Sequence, residues 1–217
     1  MTDFKAIIFD MDGVLVNSEP LWKIAETEIL TSLGVPVTEE QIHNTSAMSV
    51  KGVCEFWYKI HPWANKSFDE VEKLIVDRVI ELIKTHDTNM PDAYETVKYF
   101  KDLSFKIGLA TNSSHNIIDV VLTKVGIKQY FDFIASVQDV ESGKPEPDVY
   151  LFAAKNLNVK PENCLVIEDS VVGVQSAKTA GMTVVAMPDK RDWDKPEYEI
   201  ADFKIKSLKG FPVAILS

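Results

Sequence analysis

Apolar residues along this chain fall in short unbroken runs rather than in alternation. Ala6–Phe9, Lys106–Ala110, Phe133–Val137, Cys164–Ile167, Thr183–Met187 and, more weakly, Asp202–Ile205 each have the length of a strand. A strand wetted on one face alternates apolar and polar residues, whereas one covered on both faces reads as a continuous run. Between the later runs the spacing becomes helical. Val97, Phe100 and Leu103 mark one helix, and Ile117, Ile118, Val121, Leu122 and Val125 mark the next. Val149, Phe152, Ala153 and Leu157 mark a third, and Val171, Val174 and Ala177 a fourth. Gly126 and Gly181 follow the second and fourth as stop signals. Strands alternating with helices of this length predict an α/β fold, a Rossmann-like doubly wound parallel sheet covered on both faces.

The stretch after the first strand breaks that rhythm and holds no strand pattern. Leu21, Ala25, Ile29 and Leu33 give one helical stripe, ending at Gly34. Asn44–Tyr58 reads as a second helix around Val50, Val53 and Phe56-Trp57. Ser67-x-x-Glu70 is a capping box ahead of Val71, Leu74, Ile75, Val79, Leu82 and Ile83. The expected division is a catalytic core of residues 1–16 and 91–217, with residues 17–90 inserted as an all-helical cap domain. In parallel α/β sheets ligands bind at the carboxyl ends of the strands. An insertion leaving from that edge is placed to cover a site there.

Four polar groups fall at those carboxyl ends. The first strand stops in Asp10-Met11-Asp12-Gly13, two carboxylates that period-two alternation sends to the same side. At ~4 Å and an effective dielectric near 20 their repulsion is about 4 kcal/mol, so a positive partner is implied. Thr111-Asn112-Ser113 follows the second strand, Gly143-Lys144-Pro145 lies beyond the third, and Glu168-Asp169-Ser170 follows the fourth. Taken singly, each has a plain alternative. Thr111-Asn112-Ser113 can be an N-cap for the helix led by Ile117, Lys144 a surface lysine, and Glu168-Asp169-Ser170 the start of the next helix. An EF-hand calcium loop starting at Asp10 is the weaker reading, because glycine stands fourth rather than sixth and Leu21 occupies the twelfth position. Together the four supply carboxylates for a hard divalent cation and a hydroxyl and a lysine for phosphate oxygens.

Composition narrows the class further. The 217 residues carry a formal net charge of -10, against a general nucleic-acid surface. Cys54 and Cys164 fit no disulfide or metal spacing, and no apolar run approaches a membrane span. The expectation is a soluble cytoplasmic protein, monomeric, with no nucleic-acid or membrane partner.

In order and placement, Asp10-Met11-Asp12-Gly13-Val14, Thr111-Asn112, Lys144-Pro145 and Glu168-Asp169-Ser170 resemble the motifs of the haloacid dehalogenase superfamily of phosphotransferases. The helical insert, Asn17-Ser18-Glu19-Pro20 and Gly143–Asp148 are similar to sugar-phosphate phosphatases and β-phosphoglucomutases. Phe56-Trp57-Tyr58 through His61-Pro62-Trp63 is similar to 2-deoxyglucose-6-phosphate and hexitol-phosphate phosphatases. The resemblance implies that Asp10 attacks phosphorus to form an aspartyl-phosphate and that Asp12 acts as general acid and base. It implies that Thr111 and the main-chain N–H of Asn112 hold the phosphoryl group and that Lys144 offsets its charge. It implies Mg²⁺ bound by Asp10, the Asp12 carbonyl and Asp169, with Glu168 either a direct ligand or a holder of metal-bound water. The substrate implied is a small phosphorylated sugar or polyol.

The pattern departs from the family in two places. Trp22 stands where the mutases carry a histidine, which favours a phosphatase over a hexose-phosphate mutase. Ala47, Ser49 and Lys51 occupy the Thr45–Gly52 segment where related caps have a glycine and an arginine. Asp12 itself argues against a dehalogenase. Trp57 and Tyr58 read as core of the helical insert, and Trp22 stays open between core and site.

Overall fold

The computed structural model describes residues 4–38, 41, 42, 45 and 48–211. The chain divides into two compact units, Met1–Asn17 with Asn89–Ser217, and Ser18–Thr88.

The first unit is built on a six-stranded sheet of β1 (Ala6–Phe9), β2 (Lys106–Thr111), β3 (Phe133–Ser136), β4 (Cys164–Glu168), β5 (Thr183–Ala186) and β6 (Phe203–Lys204). All neighbours are parallel, and the order is β3-β2-β1-β4-β5-β6. β1 is central: Ile7 pairs with Ile107 on one side and Leu165 on the other. The chain builds outward to β3, then crosses back to β4, so strand order reverses beside the carboxyl end of β1. Such a reversal opens a crevice at the strand ends.

Continuous apolar runs are required because both faces are covered. Ala6 and Ile8 join Val166 and Val184 in a core roofed by Val149 and Ala153 of α6 (Asp148–Asn156) and Val174 and Ala177 of α7 (Val171–Thr179). On the other face Phe9 meets Phe100 of α4 (Ala93–Asp102) edge-on, ring centroids 6.4 Å apart. α5 (His115–Val125) presents Ile117, Ile118, Val121 and Leu122 to the interior and ends in Gly126 at φ +76°. Leu103 belongs to no core: it caps the end of α4 and is exposed. β3 stops one residue before Val137, where a short 3-10 helix begins. β6 is reduced to Phe203–Lys204.

The second unit contains α1 (Glu19–Ser32), α2 (Val50–Ile60) and α3 (Phe68–Thr85). The capping box at Ser67 forms as expected: Ser67 N–H donates to Glu70 at 2.7 Å, and Glu70 N–H returns to Ser67 Oγ at 3.3 Å. Arg78 of α3 pairs with Glu28 of α1 at 2.6 Å. α2 is capped by Ser49, which accepts from Gly52 N–H, so this helix begins at Val50 rather than near Asn44. Asn44 and Ala47 lie outside the described residues. Trp57 is buried as expected, but the next residue, Tyr58, points about 100° around the helix and is exposed, packed edge-on with Trp63 and Phe68. Among the described residues, no helix is long and apolar enough to cross a membrane.

The buried stripe of α1 is Leu21, Ala25, Glu26 and Leu30, not Leu21, Ala25, Ile29 and Leu33. A spacing of four drifts around a 3.6-residue helix, and the buried face follows the true period through a charged residue. Burial pushes the Glu26 carboxyl up to about 7 from its ordinary 4.5, against the opposing pull of Lys23 and a hydrogen bond from Thr45. The folded protein therefore holds a proton here that the unfolded chain releases. This contribution to stability is fully present below pH 4.5 and is lost as pH rises through about 7. Glu26→Gln should stabilise the protein by about 2–3 kcal/mol at pH 8 and hardly at all at pH 4.5. Urea unfolding midpoints of the two proteins across that range check it, and parallel curves would refute it.

Candidate active site

β1 ends at Phe9, so simple alternation does not extend to Asp12. Asp10 is anchored by its N–H to the Ile167 carbonyl at 2.9 Å, and a tight turn from Met11 to Val16 carries Asp12. Gly13 in that turn has φ +78°, and a Cβ there would collide with the Asp169 carboxylate. Glycine is thus required twice over, by conformation and by the close approach of a carboxylate.

Asp10 is buried, and Lys144 Nζ donates to its Oδ1 at 2.5 Å. The same ammonium donates to Glu168 Oε1 and lies over the Tyr150 ring, 4.9 Å from its centroid. Tyr150 OH also donates to Glu168 Oε1 at 2.9 Å. Glu168 Oε2 accepts from Ser170 N–H at 3.0 Å and Ser170 Oγ at 3.1 Å. Ser170 in turn caps α7 through Gly173 N–H, so the capping role and the carboxylate contact coexist. Asn112 clasps the lysine's main chain: its Oδ1 accepts from Lys144 N–H at 2.9 Å, and its Nδ2 donates to Lys144 O at 3.3 Å. The Lys144-Pro145 peptide bond is cis. Thr111, also buried, accepts from Ser113 N–H at 3.1 Å. The N-cap of α5 is Ser114, which leaves Thr111-Asn112-Ser113 outside the helix.

The sequence places Ser113 only in a possible cap, yet its hydroxyl donates to Asp12 Oδ2 at 2.8 Å. Tyr198 lies in no motif of the sequence, yet its hydroxyl donates to the Asp169 carbonyl at 2.6 Å. No local pattern marks either contact, since the partners lie 101 and 29 positions apart in the chain.

Asp10, Glu168 and Asp169 bring carboxylate oxygens within 4.8 Å of one another. Burial pushes Asp10 up to about 8, with Glu168 and Asp12 adding to the rise and Lys144 opposing it. Asp169 is raised well above the usual range by burial, then by Glu168 and Asp10. Lys144 loses hydration, but Asp10 and Glu168 more than compensate and hold it charged. Three carboxylates against one ammonium leave a negative excess in an all-oxygen donor set, and a hard divalent cation fits both properties. The Asp12 carboxylate lies outside that cluster, turned to Ser113.

A family model for haloacid dehalogenase-like hydrolases matches residues 4–181. The chain belongs to this family and is an enzyme of it. Among curated relatives, hexitol phosphatase B of Escherichia coli is 35% identical over 204 residues, covering 94% of this chain and 92% of that protein. A phosphorylated carbohydrates phosphatase of Thermotoga maritima is 31% identical over 193 residues, 82% of each chain. In fold, the β-phosphoglucomutase of Clostridium difficile superposes with a TM-score of 0.84 at 24% identity, covering 98% of this chain and 95% of that one.

Proposed function

We propose that this phosphatase hydrolyses a small sugar phosphate or sugar-alcohol phosphate, with Mg²⁺, through an aspartyl-phosphate on Asp10. The observation that carries the reading is the buried junction of Asp10, Lys144 and Glu168 beside Asp169, at the carboxyl ends of the two central strands. The substrate class is supported by the activities named for the two phosphatases above.

Asp10 attacks phosphorus, dividing one difficult displacement into two easier ones. Asp12 gives its proton to the leaving alkoxide and then takes one from the water that hydrolyses the intermediate. Ser113 holds its carboxylate for both steps. Thr111 and the Asn112 N–H bind the phosphoryl oxygens, and Lys144 balances the charge on Asp10. Asp10, Asp169 and the Asp12 carbonyl would hold Mg²⁺, which when bound spreads the charge that develops on the phosphoryl group. Glu168 already accepts four hydrogen bonds, the usual capacity of a carboxylate, which supports a role in fixing Lys144 over one as a metal ligand.

Phosphate release from hexose and hexitol phosphates, measured with Mg²⁺ and with a chelator, tests the reading. At least one such substrate should be turned over about tenfold better, in kcat/KM, than a generic aryl phosphate, and chelation should abolish turnover. Equal turnover of the aryl phosphate refutes the sugar assignment. Glucose 6-phosphate accumulating from glucose 1-phosphate would instead establish a mutase.

A further inference from the structure

Two buried tyrosines of the first unit, Tyr150 and Tyr198, direct their hydroxyls at consecutive residues. They are the tyrosines that are buried among the described residues. Tyr150, on α6, donates to the Glu168 carboxylate, and its ring lies beneath the Lys144 ammonium. Tyr198, in the short 3-10 helix Pro196–Ile200, donates to the Asp169 carbonyl. Both rings are packed in the core under α6 and α7. Phenylalanine would fill the same space, so packing explains the rings and not the hydroxyls. A buried phenol needs a partner, and each of these finds it on the Glu168-Asp169 pair.

We infer that Tyr150 and Tyr198 are positioning residues. Tyr198 fixes the main chain from which the Asp169 carboxylate projects across Gly13. Tyr150 fixes the Glu168 carboxylate and, through it and the ring face, the Lys144 ammonium. Neither tyrosine touches Asp10 in the contacts described, so each acts through its partner. The inference rests on the proposed Mg²⁺ site, because the consequence of displacing Asp169 is a weaker hold on that cation.

Calorimetric titration of Mg²⁺ into metal-free protein separates positioning from packing. Wild type should bind Mg²⁺, and Tyr198→Phe should bind it about three- to tenfold more weakly, the scale of one hydrogen bond. The Mg²⁺ concentration for half-maximal activity should rise by the same factor, with KM for the phosphosugar unchanged at saturating Mg²⁺. Tyr150→Phe should lower kcat about tenfold at saturating Mg²⁺ and substrate, again one hydrogen bond's worth. A lower melting temperature in chelator, with Mg²⁺ affinity and kcat both unchanged, would mean packing alone and overturn the inference. Wild type that binds no Mg²⁺ removes the metal site and this inference together; variants that match a Mg²⁺-binding wild type remove this inference only. Each hydroxyl makes its own hydrogen bond, so if one variant fails to fold the other decides.

Discussion

Asp10→Asn should lower phosphate release by at least about 10⁴-fold, the scale seen when a covalent nucleophile is removed. The amide matches the carboxylate in shape but has neither its nucleophilicity nor its charge. The fold should survive. Burial already pushes the Asp10 carboxyl upward, toward the neutral form that asparagine resembles in shape and charge. The second donor bond of Lys144, to Glu168, is untouched. Melting temperature in chelator should therefore change little while turnover vanishes. Acid quenching of wild type during turnover should trap phosphate on protein in a hydroxylamine-labile form, and the variant should trap none. Activity above about 1% of wild type in Asp10→Asn would rule out the covalent route.

Lys144→Met should do the opposite and damage fold and activity together. The lysine side chain is 3% exposed and lies between carboxylates that are 8% and 0% exposed. Methionine keeps most of the volume but leaves two buried acids facing each other without a cation. Removing one member of a buried charge network costs about 3–5 kcal/mol. Asp10 can escape part of that cost by holding its proton, which then makes it a poor nucleophile. Urea unfolding should show a loss near the lower end of that range, with kcat/KM down about 10³-fold. Adding Glu168→Gln to Lys144→Met should recover part of the stability and none of the activity. Stability within about 1 kcal/mol of wild type would show that the junction is wetter than its burial implies.

The sheet was legible because its central strands are sealed on both faces. Ala6–Phe9 and Cys164–Ile167 have no solvent side, so nothing interrupts their apolar runs. The motif residues were legible only in conjunction: each singly has a plain alternative, but carboxylates, a hydroxyl and a lysine at one edge of one sheet complement one another. Where side chains face both water and protein, the pattern misled. Glu26 is buried although it lies off the apolar stripe read from the sequence, Ile29 is pushed off that stripe, and Tyr58 is exposed beside a wholly covered Trp57. The holders of the site stayed hidden for a different reason. Neither Tyr150 nor Tyr198 falls in any motif of the sequence, and Ser113 looks like a cap. Their roles exist only through partners brought near by the closed fold.

The central place of β1 has a consequence for how the chain is made. Its two pairings close at very different times: Ile7 can meet Ile107 midway through synthesis, but Leu165 emerges much later. The Ser18–Thr88 unit lengthens the first closure, yet loop entropy grows only logarithmically with length, so a self-contained insert delays it little. Until Cys164–Glu168 has left the ribosome, the strand that leads into Asp10 has one unpaired, fully apolar edge. A chain stalled before that point carries Asp10 but presents a template for aggregation, and in pulse-labelled nascent chains of increasing length the sheet unit should become protease-resistant only once β4 is out.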